Sequence, residues 1–184
     1  QPTLSSYDAA LLVGNALDRA VSGSAAQLFP AGDLPFFEPG FDNLVVGRAG
    51  VTIVGSKAYS SAVQIEAPVS WSSTSIPANV LSHGRNMRHL VELAVEQRAA
   101  LEALITGAKL KFDVPVSAAL CFESVEGVDR TPVRDSMGVR IDTVENIAEF
   151  ATRRGPVFEK EIEPVVDYLR QLAEAPLEPL PAKP

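Results

Sequence analysis

Phe41-Asp42-Asn43-Leu44-Val45-Val46-Gly47, followed after Arg48-Ala49 by Gly50-Val51-Thr52-Ile53-Val54, is the stretch whose reading decides the fold. Two apolar runs rich in β-branched residues are joined by Gly47-Arg48-Ala49-Gly50. Glycines at both ends of so short a connection fit a hairpin turn that needs φ > 0. Ala62 to Glu66 alternates apolar and polar side chains and is a third strand candidate. Lys111 to Phe122 reads as a further strand, nearly all apolar from Val114 onward, the pattern of a strand covered on both faces.

Helices surround these strands. Ser5 or Ser6 can cap a first helix running to about Val21, where Ser22-Gly23 stops it. Leu12, Ala16, Leu17, Ala20 and Val21 give it an apolar stripe. Gly14 in its interior costs about 1 kcal/mol relative to alanine, which predicts a close packing contact there. A long helix follows from about Asn86 to Ile105, ended by Gly107, with Met87, Leu90, Val91, Ala94, Leu101, Leu104 and Ile105 at helical spacing. Thr143 to Arg153 and Glu159 to Glu174 are two more helices, separated by the stop-and-restart pair Gly155-Pro156. Ala26 to Phe37, broken by Pro30, Gly32 and Pro35, reads as short extended pieces, and Pro68 to Ala78 as a surface excursion. The order α, β-meander, α, β, α, α predicts an α/β fold of mixed type: a central mixed sheet flanked by helices, with a C-terminal helical pair.

Composition bounds the rest. At 184 residues, with 46% hydrophobic and 21% charged residues, the chain fits one globular domain. A chain of this length removes roughly 70% of its unfolded surface from water, enough for a true core. The expected division is a core over 1–125, helices packed on it over 126–175, and a tail over 176–184 that holds four prolines in nine positions. The net charge of −7 argues against general affinity for nucleic acid but leaves room for a local basic face. Glu159 to Glu178 holds six acids against two bases, whereas His83 to His89 contains Arg85 and Arg88 and no acid. Cys121, the single cysteine, excludes an intrachain disulfide and a cysteine-rich zinc site; within Ala118 to Phe122 it reads as a buried, inert thiol. No run approaches the roughly 18 apolar residues that span a bilayer, and no charged-then-apolar leader opens the chain, so a cytoplasmic location without membrane attachment is expected.

The central stretch, with Ser56-Lys57-Ala58-Tyr59-Ser60, resembles the core motif of the nuclease-related (NERD) domain family. In that family an Asp opens one strand, a Gly-containing turn follows, and an acid-x-Lys triplet ends the next. Gly84-Arg85-Asn86, the long helix with Gln97, and Val114-Pro115-Val116 leading to Leu120-Cys121-Phe122 are similar in order and spacing. The likeness covers roughly Gly14 to Phe122. The family is similar to the restriction-endonuclease-like group with a PD-(D/E)xK site, and so implies a sheet flanked by helices with Mg²⁺ or Mn²⁺ held where two strands separate. Two carboxylates there bind a hard cation, which polarises phosphate and lowers the pKa of the attacking water. A lysine two residues after the second acid projects to the same face and steadies developing negative charge.

Carried onto this chain, the resemblance implies Asp42 as catalytic and metal-binding carboxylate and Lys57 as catalytic lysine. Asp42 can equally be a strand-opening residue, and Lys57 a solvated strand-end lysine. The acid expected two residues before Lys57 is Gly55, and the Gly-Glu pair that the family tends to carry on the first helix is Gly14-Asn15. Losing two negative charges from a dication site weakens it greatly. Glu66 as a metal ligand, with Asp18, is a candidate for compensation; each is otherwise a solvent-facing charge. Arg85 and Arg88 can dock nucleic-acid phosphate at the start of the long helix or simply be solvated beside its cap. Trp71 and Tyr59 either stack on bases or pack.

Three functions remain open. One is a nuclease using Mg²⁺ or Mn²⁺ on DNA or RNA. Another is a catalytically dead relative kept for binding nucleic acid or a protein partner. The third is an unrelated α/β interaction protein.

Overall fold

A computed structural model describes residues 6–35, 38–59, 63–65, 70–71, 74–75, 80–82, 85–124 and 135–175. In chain order it contains α1 (Ser6–Ser22), β1 (Gln27–Pro30), a 3-10 turn (Ala31–Asp33), β2 (Asn43–Gly47) and β3 (Gly50–Tyr59). Short strands follow: β4 (Val63–Ile65), β5 (Ser70–Trp71), β6 (Thr74–Ser75), β7 (Val80–Ser82) and β8 (Arg85–Asn86). Then come α2 (Arg88–Gly107), β9 (Val116–Ser124), β10 (Asp135–Ser136), β11 (Val139–Asp142), α3 (Val144–Thr152) and α4 (Glu159–Glu174).

The main sheet has six strands in the order β1-β2-β3-β9-β11-β10. β1, β2 and β3 form an antiparallel meander, β3, β9 and β11 are parallel, and β10 returns antiparallel at the edge. The expected α/β architecture is what the structure has. Helices cover both faces, so the inner strands are apolar on both sides, and period-2 alternation sorts their residues into two layers. Leu44, Val46, Val51, Ile53, Leu120, Phe122, Val139 and Ile141 join Leu90, Val91, Ala94 and Leu101 of α2 and Ile162, Val165 and Leu169 of α4 in one core cluster. Val45, Val54, Ala119 and Cys121 join Val13 and Leu17 of α1 and Ile147, Ala148 and Ala151 of α3 in the other. The two C-terminal helices therefore lie on opposite faces. Tyr168 of α4 donates its hydroxyl to the Leu104 carbonyl of α2 at 2.9 Å, locking those two helices side by side.

Three local readings change. Val63–Ile65 is a strand, but it pairs with β7 in a separate three-stranded sheet and does not extend the meander. The stretch before α3, which the sequence assigns to no strand, contributes β11 to the main sheet. Gly14 has no packing reason: a Cβ there would meet nothing within 4 Å. The proline tail lies outside the described residues.

Gly50 is different. The register Gly47↔Gly50 leaves Arg48 and Ala49 as the loop, and Gly50 takes φ +102°. Its missing Cβ lets the Pro115 carbonyl approach, which accepts the Val51 N–H at 2.9 Å and starts the β3–β9 pairing. The same substitution at two glycines should thus have opposite signs. Gly14→Ala is expected to raise unfolding free energy by about 1 kcal/mol, and Gly50→Ala to lower it by more than about 2 kcal/mol through backbone strain and overlap with Pro115. Urea titration checks both.

Candidate functional site

The strand-edge residues are built by an irregularity in the hairpin. Asn43 pairs with Val54, but the Ser56 N–H donates to the Gly40 carbonyl at 2.9 Å. Phe41 and Asp42 therefore stand together against Gly55, a β-bulge that redirects side chains at the end of the ladder. Phe41 is turned into the α2/α4 core, buried among its apolar residues. Asp42 is half-buried, and its carbonyl accepts the Ala31 N–H at 3.0 Å, which ties the 3-10 turn to the hairpin.

Gly55 is closed in. A Cβ there would lie 2.8 Å from Phe41 Cε1 and 2.9 Å from Leu120 Cδ2. The position from which an acid would reach a metal is occupied by an aromatic ring and a leucine methyl. Lys57 follows two residues later on the same face, half-buried, its Nζ against Gly40 at 2.9 Å from where a Cβ would sit. Asp42, just before β2, and Lys57, near the end of β3, thus lie close to one corner of the sheet, and neither enters an ion pair with a described residue.

The other expected residues are not gathered there. Asn15 and Asp18 are exposed on α1, and α1 covers the α1/α3 face, opposite to Gly55 and Lys57. Arg85 is exposed on β8. Arg88 is exposed and bound to Glu92 at 2.7 Å, while its N–H donates to Asn86 Oδ1 at 2.8 Å, which satisfies one donor of the α2 N-terminus. Glu66, His83 and Gly84, and the side chains of Tyr59 and Trp71, lie outside the described residues. Among the described residues no three His, Cys, Asp or Glu side chains form a group that could hold a metal ion. With one carboxylate and a filled second position, the described side chains do not fit a Mg²⁺ or Mn²⁺ centre.

The polar interior lies elsewhere. Ser56, Cys121 and Asp142 stand side by side on β3, β9 and β11, all buried on the α1/α3 face. Asp142 is 1% exposed and accepts the Thr143 N–H at 2.9 Å and Asn146 Nδ2 at 2.8 Å. Arg140, two residues earlier on the same face of β11, reaches the Asp142 carboxylate at 3.4 Å. Arg140 also lines a cavity of about 360 Å³ with Asn146, Glu149, Phe150 and Arg153. The available signal was the alternation Val139-Arg140-Ile141-Asp142 just before a helix start, with Asn146 one turn on.

Gly55→Ala is expected to cost about 1–3 kcal/mol by overpacking. Part of that loss should disappear when Phe41→Leu is already present, a coupling that a double-mutant cycle in urea measures. Strict additivity would show that the ring is not the obstacle. No family model, no curated protein and no solved structure matches this chain.

Proposed function

We propose that this chain is a nuclease-related domain that has lost metal-dependent phosphodiester cleavage and works by binding nucleic acid. One observation carries the reading: the Phe41 ring fills the space beside Gly55 where the motif's second acid would have to project. A single carboxylate, Asp42, does not replace the charge that holds a dication and activates water. The mixed sheet flanked by helices, the retained Lys57 at the strand end, and the order of the motif along the chain support the kinship. Lys57 supplies a point charge suited to a phosphate oxygen. Arg85, exposed on β8, adds a second cation.

A second reading, an assembly module for a protein partner, is favoured by Leu11 and Leu12, 52% and 45% exposed on α1. Adjacent exposed leucines are the usual mark of an interaction surface when they form part of a larger patch. Among the described residues no helix is long and apolar enough to cross a membrane.

Plasmid and single-stranded DNA incubated with the protein at high concentration and either Mg²⁺ or Mn²⁺ should remain intact. In gel retardation at low salt the protein should retain single-stranded DNA, and Lys57→Ala should weaken retention by about threefold, as expected for one phosphate contact. Asp42→Ala should leave retention undiminished. Metal-dependent cleavage abolished by Asp42→Ala would overturn the loss of activity; no retention at any salt would favour the protein-partner reading.

A further inference from the structure

The strongest unexplained feature is the cavity under α3, on the face of the sheet away from Lys57. Strand alternation sends Val139 and Ile141 into the α2/α4 core and leaves Arg140 and Asp142 facing α3. On α3, Asn146, Glu149 and Phe150 recur at helical spacing, and Arg153 follows one turn on, at the helix's C-terminal cap. With Arg140 they line about 360 Å³.

The charges in this cavity are incompletely matched. Asp142 Oδ1 accepts from Thr143 and Asn146, while Arg140 reaches Asp142 Oδ2 at 3.4 Å and Asp135 at 3.7 Å, both long for a charge-assisted pair. Arg140 Nε is buried with no hydrogen-bond partner. A buried donor without a partner is a cost that the folded chain carries. The Arg153 guanidinium lies over Phe150, its carbon 3.9 Å from the ring centroid, and Arg140's carbon is 5.6 Å from the same centroid. Two cations thus converge on one ring. Partial burial first, then Arg140's charge, hold the Arg153 pKa below the ordinary arginine value. Its hydrogen bond to the Phe150 carbonyl uses only one donor of the fork.

We propose that this cavity binds a single phosphate group between Arg140 and Arg153. The two guanidinium forks offer more donors than Asp135, Asp142 and the Phe150 carbonyl take up, and a tetrahedral phosphate presents oxygens to both. The lining carries Arg140 and Arg153 against Glu149, and Arg140 is further paired with Asp135 and Asp142. Arg153 enters no ion pair with a described residue, and its single charge matches a phosphate monoanion, the state of a phosphodiester backbone and of singly ionised free phosphate. Asn146 is committed to Asp142 and serves to hold that carboxylate. Glu149 opposes the ligand and limits affinity. The site does not depend on the strand-edge reading, since it shares no residue with it.

The test is an NMR titration of arginine Nε–H resonances with inorganic phosphate, with chloride at equal ionic strength, and with a short oligothymidylate. The Arg140 and Arg153 resonances should shift saturably with phosphate or with the oligonucleotide and not with chloride. Saturation by phosphate identifies a small anion as ligand; saturation by the oligonucleotide alone identifies the nucleic-acid backbone. Arg153→Gln, an exposed position, should weaken binding about tenfold. Glu149→Gln should tighten it about threefold, a gain that a merely structural role for these residues would not produce. Thermal melting of each variant separates lost binding from lost fold. Equal shifts with chloride, no saturable shift with either phosphate source, or an unchanged affinity in folded Arg153→Gln would overturn the proposal.

Discussion

β3 is hydrogen-bonded to β2 along one edge and to β9 along the other, and helices cover both of its faces. A strand in that position has no solvent-facing side, so each residue belongs to one apolar layer or the other. Val51 and Ile53 fill the α2/α4 layer and Val54 the α1/α3 layer. Thr52, the polar exception in its middle, is buried and shares a 3.0 Å hydrogen bond with the Ser117 hydroxyl on β9. Such pairing is what keeps a buried hydroxyl from being a liability. Ionisable groups are excluded from the strand's length and appear only where cover ends, at Lys57. Any chemistry at the central strands has to happen at that end.

The β-bulge at Phe41-Asp42 decides what that end can do. In a regular ladder Asp42 would oppose Gly55 and Phe41 would oppose Ser56. The bulge turns the Phe41 ring over Gly55, where the absence of a Cβ makes room for it. Burying a phenylalanine is worth about 1.5–3 kcal/mol, whereas a carboxylate in the same apolar space carries a desolvation penalty of several kcal/mol unless a cation meets it. The two occupants exclude each other. An acid at position 55 therefore requires the ring to leave, and a change at that position alone creates strain before it creates a ligand.

The helices were legible because each shows one apolar stripe against a polar face; α4 spans Glu159–Glu174 as read, and α1, α2 and α3 differ by a residue or two at their ends. The hairpin was legible through its glycines. β11 was not, because four residues alternating apolar and charged look like exposed chain, and only α3 overhead and the hydrogen bonds to Asp142 make them interior. Gly14 misled for a related reason: a helix pattern shows which side is apolar but not whether a neighbour comes close. At the strand edge, the residue types at 42, 55 and 57 were readable, while the Phe41 ring over Gly55 was not, since it follows from a one-residue offset that only the register reveals.

The two C-terminal helices, adjacent in sequence, lie on opposite faces of the sheet, and this separates their charges. On α4, Glu159, Glu163 and Asp167 are exposed, with Arg170 held to Glu163 and Asp167 at 3.0 and 2.9 Å. At the end of α3, Arg153 and Arg154 are exposed beyond Arg140. Helix layers on opposite sides of a sheet stand roughly 20 Å apart, at about 10 Å per layer. The Debye length is about 10 Å at 0.1 M salt, so the acidic helix is largely screened from the arginine side. A net charge of −7 is therefore a poor guide to what the α3 face meets. The field that an approaching anion feels there is set by Arg140 and Arg153 against Glu149, Asp142 and Asp135, and the sheet itself keeps the α4 acids at a distance.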